Sequence, residues 1–163
     1  MTTTVASPLL TAADVARGVS RLLLRWDISP LTEVPIGCGR RADIMGIDAA
    51  GRLTIIEIKV AVADLRGDRK WRDYLGYCDR FFWAVPTGFA LASFDAAALD
   101  PDHTGLIVAD RFDAEVVRPG PWQPLGTPLA PARRKAETLA FARRAARRVL
   151  AGIDPEAALI GLE

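Results

Sequence analysis

The chain has 163 residues, 50% of them hydrophobic, and its 21 Lys and Arg nearly balance 20 Asp and Glu, which is typical of one soluble domain and excludes a fibrous protein. We therefore expect a single domain over residues 1–163, with Cys38 and Cys78 as free thiols in a reducing compartment, because two cysteines form neither a disulfide framework nor a zinc cluster. The sequence lacks a signal-peptide pattern and a run of about 20 apolar residues, which predicts a cytoplasmic protein without membrane contact.

The N-terminal half is predicted to contain a helix, three strands and a second helix. Apolar residues recur at helical spacing over about 11–26, after Thr11 as the N-cap. A second helix is expected from Asp64 to about Cys78. Between them, a break at Ile28-Ser29-Pro30 is followed by strands at 31–36, 41–48 and 53–60.

The C-terminal half is predicted to complete a sheet and to end in a basic helix. The elements expected there are, in order, a strand at 80–85, a short helix at 95–99, strands at 106–109 and 114–117, a Pro- and Gly-rich crossing at 119–131, an Arg-rich helix at about 132–151 and a short helix from Pro155. This order of helices and strands predicts an α/β fold in which a mixed β-sheet is flanked by α-helices.

The second and third strands form a hairpin that brings two carboxylates together. A three-residue loop with Gly51 in the left-handed conformation fixes the register of the pair. Counting back along both strands places Asp43 opposite Glu57, with Cβ atoms about 4.5 to 5.5 Å apart. The period of two puts Lys59 on the same sheet face as Glu57.

Two explanations fit these charges. Facing carboxylates destabilise a strand pair, and Mg²⁺ or Mn²⁺ would remove the repulsion, since such an ion binds one or two carboxylates, waters and a substrate phosphate. Asp43 and Glu57 are then metal ligands, with Glu33 as a plausible third. Lys59 would hold the attacking water or stabilise charge on the phosphate. The alternative is a solvated lattice of ion pairs that also includes Arg41.

A longer set of residues resembles a known family. The segments that carry the resemblance are Gly39-Arg40-Arg41-Ala42-Asp43, Ile56-Glu57-Ile58-Lys59, Asp68-Arg69-Lys70-Trp71, Tyr74 and Tyr77-Cys78-Asp79-Arg80-Phe81. Over about residues 11–118 the chain resembles the MmcB-like DNA repair family, a bacterial branch of the PD-(D/E)XK nuclease superfamily, which has the restriction-endonuclease-like fold. The resemblance implies that Asp43 and Glu57 bind metal, that Lys59 is the catalytic lysine and that Glu33 is the acidic residue before the hairpin.

Polar and basic residues outside the hairpin are candidates for DNA contact. We expect Arg40, Arg41 and Lys70 to meet phosphates, and Asp68, Tyr74 and Asp79 are polar groups that the second helix could carry toward the site. In the last predicted helix, Arg143, Arg144, Arg147 and Arg148 lie on one stripe, with apolar residues on the other side. This stripe either binds DNA phosphates independently of sequence or is a structural surface near the helix C-terminus.

The sequence therefore predicts a Mg²⁺-dependent deoxyribonuclease that acts on DNA during repair. The alternative is a non-catalytic module on the same fold that binds DNA or a protein partner. Ser/His/Asp chemistry is excluded, because the chain has one histidine and no Gly-x-Ser-x-Gly motif.

Overall fold

The computed structural model describes residues 9–66 and 70–160. Its α-helices are α1 (Ala12–Arg25), α2 (Val62–Arg66) and α3 (Pro131–Ile153). Its strands are β1 (Ile28–Pro35), β2 (Arg41–Asp48), β3 (Leu53–Ile58), β4 (Arg80–Pro86), β5 (Gly105–Ala109) and β6 (Ala114–Arg118). Short 3₁₀ helices lie at Trp71–Tyr77, Leu91–Asp95, Ala97–Leu99 and Pro155–Leu159.

The six strands form one mixed sheet in the order β1-β2-β3-β4-β5-β6. Strands β1, β2 and β3 are antiparallel neighbours, β3, β4 and β5 are parallel, and β6 returns antiparallel to β5. Parallel pairing requires a crossover between strands, and α2 with the following 3₁₀ helix forms the one between β3 and β4. The predicted α/β fold with a mixed sheet is confirmed.

Helices and aromatic side chains cover both faces of the sheet. On one face, α1 packs a stripe of apolar residues that includes Val15, Val19 and Leu23. On the other face, Trp71, Trp83 and further aromatic rings form a core to which α3 adds Phe141. With both faces covered, polar side chains reach solvent most easily at the ends of the strands.

The β2–β3 hairpin has the predicted loop and register. The Asp48 N–H donates to the Arg52 carbonyl at 3.1 Å, and the Gly51 N–H donates to the Asp48 carbonyl at 2.9 Å. Gly51 has a φ of 74°, which glycine adopts without the steric cost that a Cβ would bring. The pairing of Ile44 with Ile56 continues the register toward Asp43 and Glu57.

The predicted second helix at 64–78 is wrong. Residues 62–66 form a single short α-helix, and Trp71–Tyr77 is a 3₁₀ helix. The aromatic residues Trp71, Tyr74 and Tyr77 recur every three positions, which suits the three residues per turn of a 3₁₀ helix. Trp71 and Tyr74 are thereby buried in the aromatic core. Asp68 lies outside the described residues.

Several boundaries also differ from the predictions. Strand β1 begins at Ile28, where a break was predicted, because Pro30 is tolerated in an edge strand. Strand β3 ends at Ile58 instead of residue 60. The expected helix at 95–99 is replaced by two 3₁₀ helices.

The structure also describes both cysteines and the length of the helices. Cys38 and Cys78 are free, as predicted. Among the residues that the structure describes, no helix is both long and apolar enough to cross a bilayer.

Candidate functional site

Asp43 and Glu57 meet where β2 and β3 separate. The Asp43 N–H donates to Glu57 Oε1 at 3.3 Å, and Asp43 Oδ2 accepts a hydrogen bond of 2.7 Å from the Ile58 N–H. A side-chain oxygen thus takes a donor that a regular ladder would give to a backbone carbonyl. The next residue, Lys59, donates its N–H to the Ala84 carbonyl of β4 at 2.9 Å. The β2–β3 ladder therefore ends at Ile44 and Ile56, whereas the pairing of β3 with β4 continues to Ile58 and Ala84. The two carboxylates lie at the same backbone step, just beyond the end of the β2–β3 ladder.

The backbone of β2 is rotated at Asp43, so that the residues before and after it lie on opposite faces of the sheet. Ala42 and Ile44 would share a face in a regular strand, but Ala42 belongs to the aromatic core and Ile44 to the core under α1. On the neighbouring strand, Glu33 has a φ of 52°, an uncommon conformation for a residue with a side chain. The twist leaves Asp43 half-buried at the lip of a cavity.

Burial raises the pKa of both carboxyl groups, and a neighbouring negative charge adds to the rise, Asp43 for Glu57 and Glu33 for Asp43. Glu57 is 6% exposed, and burial, followed by the charge of Asp43, raises its pKa from 4.5 to about 8. Burial is also the largest cause of the raised pKa of Asp43. Ionisation of both carboxyl groups at once is therefore unfavourable unless a positive charge lies nearby.

Lys59 and Tyr74 border this pair. The charge of Lys59 lowers the pKa of both carboxyl groups, although burial outweighs it. The Lys59 Nζ lies 5.8 Å from the centroid of the Trp83 ring. The Tyr74 hydroxyl donates to the Arg41 carbonyl at 3.1 Å and hydrogen-bonds Glu57, whose ionised form it favours. The predicted lysine and both carboxylates are thus in one place.

Glu33 has an arginine partner. Its Oε2 accepts from Arg41 Nε at 2.7 Å, and both side chains are more than half exposed. Glu33 lines the same cavity as Asp43, but within residues 9–66 and 70–160 no three His, Cys, Asp or Glu side chains are grouped to hold a metal ion. The geometry brings Asp43 and Glu57 together, and the metal-ligand roles of these two residues and of Glu33 stay predictions.

A cavity of about 390 Å³ opens beside Asp43. Its walls come from the first turns of α1 and from the ends of β1, β2 and β3. The lining residues are Ala12, Ala13, Ala16, Arg17, Ser20, Thr32, Glu33, Asp43 and Ile58. The α1 residues were not predicted to belong to the site, although the run of small residues after Thr11 was visible in the sequence.

The other predicted DNA contacts near the hairpin have different surroundings. Arg40 donates to Asp73 Oδ2 from Nε and Nη2, at 3.0 and 2.8 Å, and Arg41 pairs with Glu33. Lys70 is exposed at the start of the 3₁₀ helix. Phosphate contact by these three residues stays a prediction. To bind a phosphate, Arg40 and Arg41 would have to give up their ion pairs with Asp73 and Glu33.

Asp79 and Arg134 form a structural contact that the sequence did not predict. Asp79 is buried, and both of its carboxylate oxygens accept from Arg134 at 2.6 Å. Asp79 Oδ2 also accepts from the Leu53 N–H at 2.7 Å. This bidentate pair fixes the start of α3 against β3 and β4, so Asp79 acts in the fold and not at the carboxylate pair.

The arginines of α3 form a groove, and one further arginine of this helix reaches the candidate site. Arg143, Arg144 and Arg147 line a groove of about 290 Å³, and among the described atoms Arg144 Nη1 is buried without a hydrogen-bond partner. Arg148 donates to Thr32 Oγ1 at 3.4 Å and to the Glu33 carbonyl at 3.2 Å. Thr32 and Glu33 also line the cavity beside Asp43, so Arg148 joins the basic helix to the candidate site.

The apolar side of α3 is exposed. The exposed fractions are 53% for Leu139, 64% for Val149 and 49% for Leu150. The buried side of the helix carries Glu137 and Phe141 instead.

Comparison with known proteins identifies a family and a solved structure. The profile of the family described as "MmcB-like: DNA repair protein MmcB-like" matches residues 5–156. The chain is 41% identical to the SPO1766 protein of unknown function from Silicibacter pomeroyi, with a TM-score of 0.80 over 95% of this chain and 99% of that one. The comparison with curated proteins gave no match.

Proposed function

Because the chain belongs to the MmcB-like DNA repair family, we propose that it is a metal-dependent nuclease that hydrolyses DNA phosphodiester bonds. The observation that carries the proposal is the meeting of Asp43 and Glu57 at the separating ends of β2 and β3, beside Lys59 and an open cavity. Its mixed sheet is compatible with the restriction-endonuclease-like fold that the sequence resemblance implies.

The donor set fits a hard divalent cation. Mg²⁺ uses one or two protein carboxylates and takes its other ligands from waters and a substrate phosphate, so a third protein carboxylate is not required. A cation would also offset the repulsion that raises the pKa of Glu57. We therefore assign Asp43 and Glu57 as the ligands for Mg²⁺ or Mn²⁺.

The chain's own residues have separate tasks in the proposed reaction. Asp43 and Glu57 would hold the cation, which when bound would supply Lewis-acid polarisation of the phosphate and an activated water. Lys59 adds positive charge where negative charge develops on the phosphate as water attacks phosphorus and the leaving oxygen departs. The arginines of α3 hold the DNA backbone beside the cavity through sequence-independent contacts.

A non-catalytic DNA-binding module is the second candidate. It is favoured by the Arg41–Glu33 pair, which occupies the carboxylate expected to be a third ligand. In this alternative, the basic groove on α3 binds DNA and no phosphodiester bond is cleaved.

Cleavage assays separate these candidates. Labelled single-stranded, duplex, nicked and flapped DNA are incubated with Mg²⁺, Mn²⁺ or EDTA, and we expect cleavage with either metal and none with EDTA. Asp43→Asn should abolish cleavage, and Lys59→Ala should lower it by roughly 10² to 10³, the scale for the loss of one electrostatic contributor.

Two controls accompany the assay. Glu115→Gln, which changes an exposed carboxylate on β6, should cleave as the wild type does. Binding measured in EDTA should be almost unchanged by Lys59→Ala. If the wild type binds DNA but cleaves no substrate with any divalent metal, the binding module replaces the nuclease.

A further inference from the structure

One wall of the cavity beside Asp43 is formed largely by small apolar side chains. Ala12, Ala13 and Ala16 form its α1 wall, and Ile58 contributes from β3. We call this cavity the alanine pocket. Its volume of about 390 Å³ is near the lower end of pockets that hold small organic ligands, so it is large enough for one flat group.

The charges of the alanine pocket do not suit a phosphate. Apart from Asp43, which is assigned to the cation, its charged lining residues in the described part of the chain are one acid, Glu33, and one base, Arg17, which do not add up to a positively charged site for a further phosphate. The Ser20 hydroxyl donates to the Ala16 carbonyl of its own helix at 2.7 Å, and alanine side chains offer no hydrogen bond. The part of a DNA strand that fits these walls is an uncharged base, with Arg17 and Thr32 available for its polar edge.

We infer that the alanine pocket receives the base of an unpaired nucleotide next to the phosphate that is cleaved. This inference rests on the proposed function and names its substrate class. A base that is stacked and paired in a duplex cannot enter a pocket, so an enzyme of this design acts on single strands or must extrude the nucleotide. The substrates are therefore single-stranded DNA and DNA with unpaired nucleotides beside the cleavage position.

The test fills the alanine pocket with a large side chain. Ala13 is exposed on the first turn of α1, so Ala13→Trp can be accommodated without disturbing the core, and Ala12→Trp is a second variant at the same wall. Leu24→Trp is the matched control, because Leu24 is 61% exposed on the same helix and is not among the lining residues of the pocket.

Two readouts are measured on each variant. One is the cleavage rate of single-stranded DNA with Mg²⁺, relative to fully paired duplex. The other is the fluorescence of a single-stranded oligonucleotide that contains 2-aminopurine, bound in EDTA, where entry of the base into the pocket unstacks it and raises the signal. We expect Ala13→Trp to lower single-strand cleavage by roughly 10-fold to 100-fold, the scale for a misplaced substrate, and to remove the fluorescence rise. Leu24→Trp should change neither.

The outcomes separate this inference from the proposed function. Equal cleavage of paired duplex and single strands by the wild type would overturn the inference, and so would a fluorescence rise that Ala13→Trp and Ala12→Trp leave intact. If the wild type cleaves nothing but the rise disappears in the Ala13→Trp variant and persists in Leu24→Trp, the proposed function fails and the base pocket stands.

Discussion

Glu57 is the residue whose protonation most directly reports the state of the carboxylate pair. Its pKa is raised from 4.5 to about 8 by burial and by Asp43. Between these values the folded protein holds a proton that the unfolded chain releases. The stabilising contribution of the protonated form is therefore fully present below pH 4.5 and is lost as the pH rises through about 8.

Removal of this carboxylate should flatten the dependence of stability on pH. In metal-free buffer, Glu57→Gln should lose less free energy of unfolding than the wild type between pH 4.5 and about 8, by on the order of a few kcal/mol, since one pKa unit corresponds to about 1.4 kcal/mol. Urea melts across this range measure the difference. Glu115→Gln, at an exposed site, should keep the wild-type profile, and an equally steep profile in Glu57→Gln would show that Glu57 ionises freely.

Residues of the carboxylate pair were predictable because a hairpin has a two-residue period and a loop-defined register. Asp43 and Glu57 followed from the position of Gly51 alone. The rotation of the backbone between Ala42 and Ile44 was not predictable, because a period of two assumes a regular strand. Arg41 was expected to contact DNA, and its ion pair with Glu33 joins residues on two different strands, which local sequence spacing does not bring together.

At the scale of elements, α3 is attached to the rest of the fold near both ends and carries a basic surface between these contacts. In the first turn of α3, Arg134 binds Asp79. Near the C-terminal end of the helix, Arg148 donates a hydrogen bond to the Glu33 carbonyl. Between these two anchors, the groove formed by Arg143, Arg144 and Arg147 contains a buried guanidinium nitrogen for which the described residues supply no acceptor. Buried donors without a partner are uncommon, and a DNA phosphate would supply the missing acceptor.

Replacement of the three groove arginines by glutamine should weaken DNA binding to all sequences alike. The slope of log affinity against log salt concentration should fall by about 0.9 for each duplex phosphate that the variant no longer neutralises, or by about 0.7 on single strands. Fluorescence anisotropy in EDTA measures binding without cleavage. Arg148 is left in place because it anchors the helix.

The charge-matched control for this experiment replaces Arg21, Arg25 and Arg111. These arginines lie between α1 and the loop before β6, where Arg21 and Arg25 contact Phe112 and Asp113, and Arg111 contacts Asp14. The control should keep the wild-type salt slope. If the groove variant also keeps it, α3 is a structural element and DNA binds elsewhere.

Elements with strong periodicity were predicted well, and those with short-range irregularities were not. The stripe Val15, Val19 and Leu22 identified α1, and alternation identified β2 and β3. The 3₁₀ helix at Trp71–Tyr77 was mistaken for an α-helix because its spacing of three is also an α-helical contact spacing. The sequence placed apolar residues opposite the arginine stripe of α3 but did not show which side of the helix packs against the sheet, and in the structure Phe141 and Arg134 make those contacts while Leu139, Val149 and Leu150 are exposed.

At the scale of the molecule, both faces of the sheet are covered, and the candidate site residues lie together at the open end of the β2–β3 hairpin. The antiparallel pairing of β2 with β3 ends at Ile44 and Ile56, while the parallel pairing of β3 with β4 continues on the other edge to Ile58 and Ala84. Where these two strands separate, the half-buried Asp43 and the buried Glu57 lie side by side. Arg148 connects the same end to the basic surface of α3.

Binding of Mn²⁺ to the metal-free protein, followed by electron paramagnetic resonance of the free ion, is the decisive test of the carboxylate pair. The wild type should bind Mn²⁺ with an affinity that increases as the pH approaches about 8, where Glu57 loses its proton. Asp43→Asn and Glu57→Gln should each lose this binding, and Glu115→Gln should retain it. Mn²⁺ binding that survives both substitutions would contradict the assignment of Asp43 and Glu57 as the metal ligands.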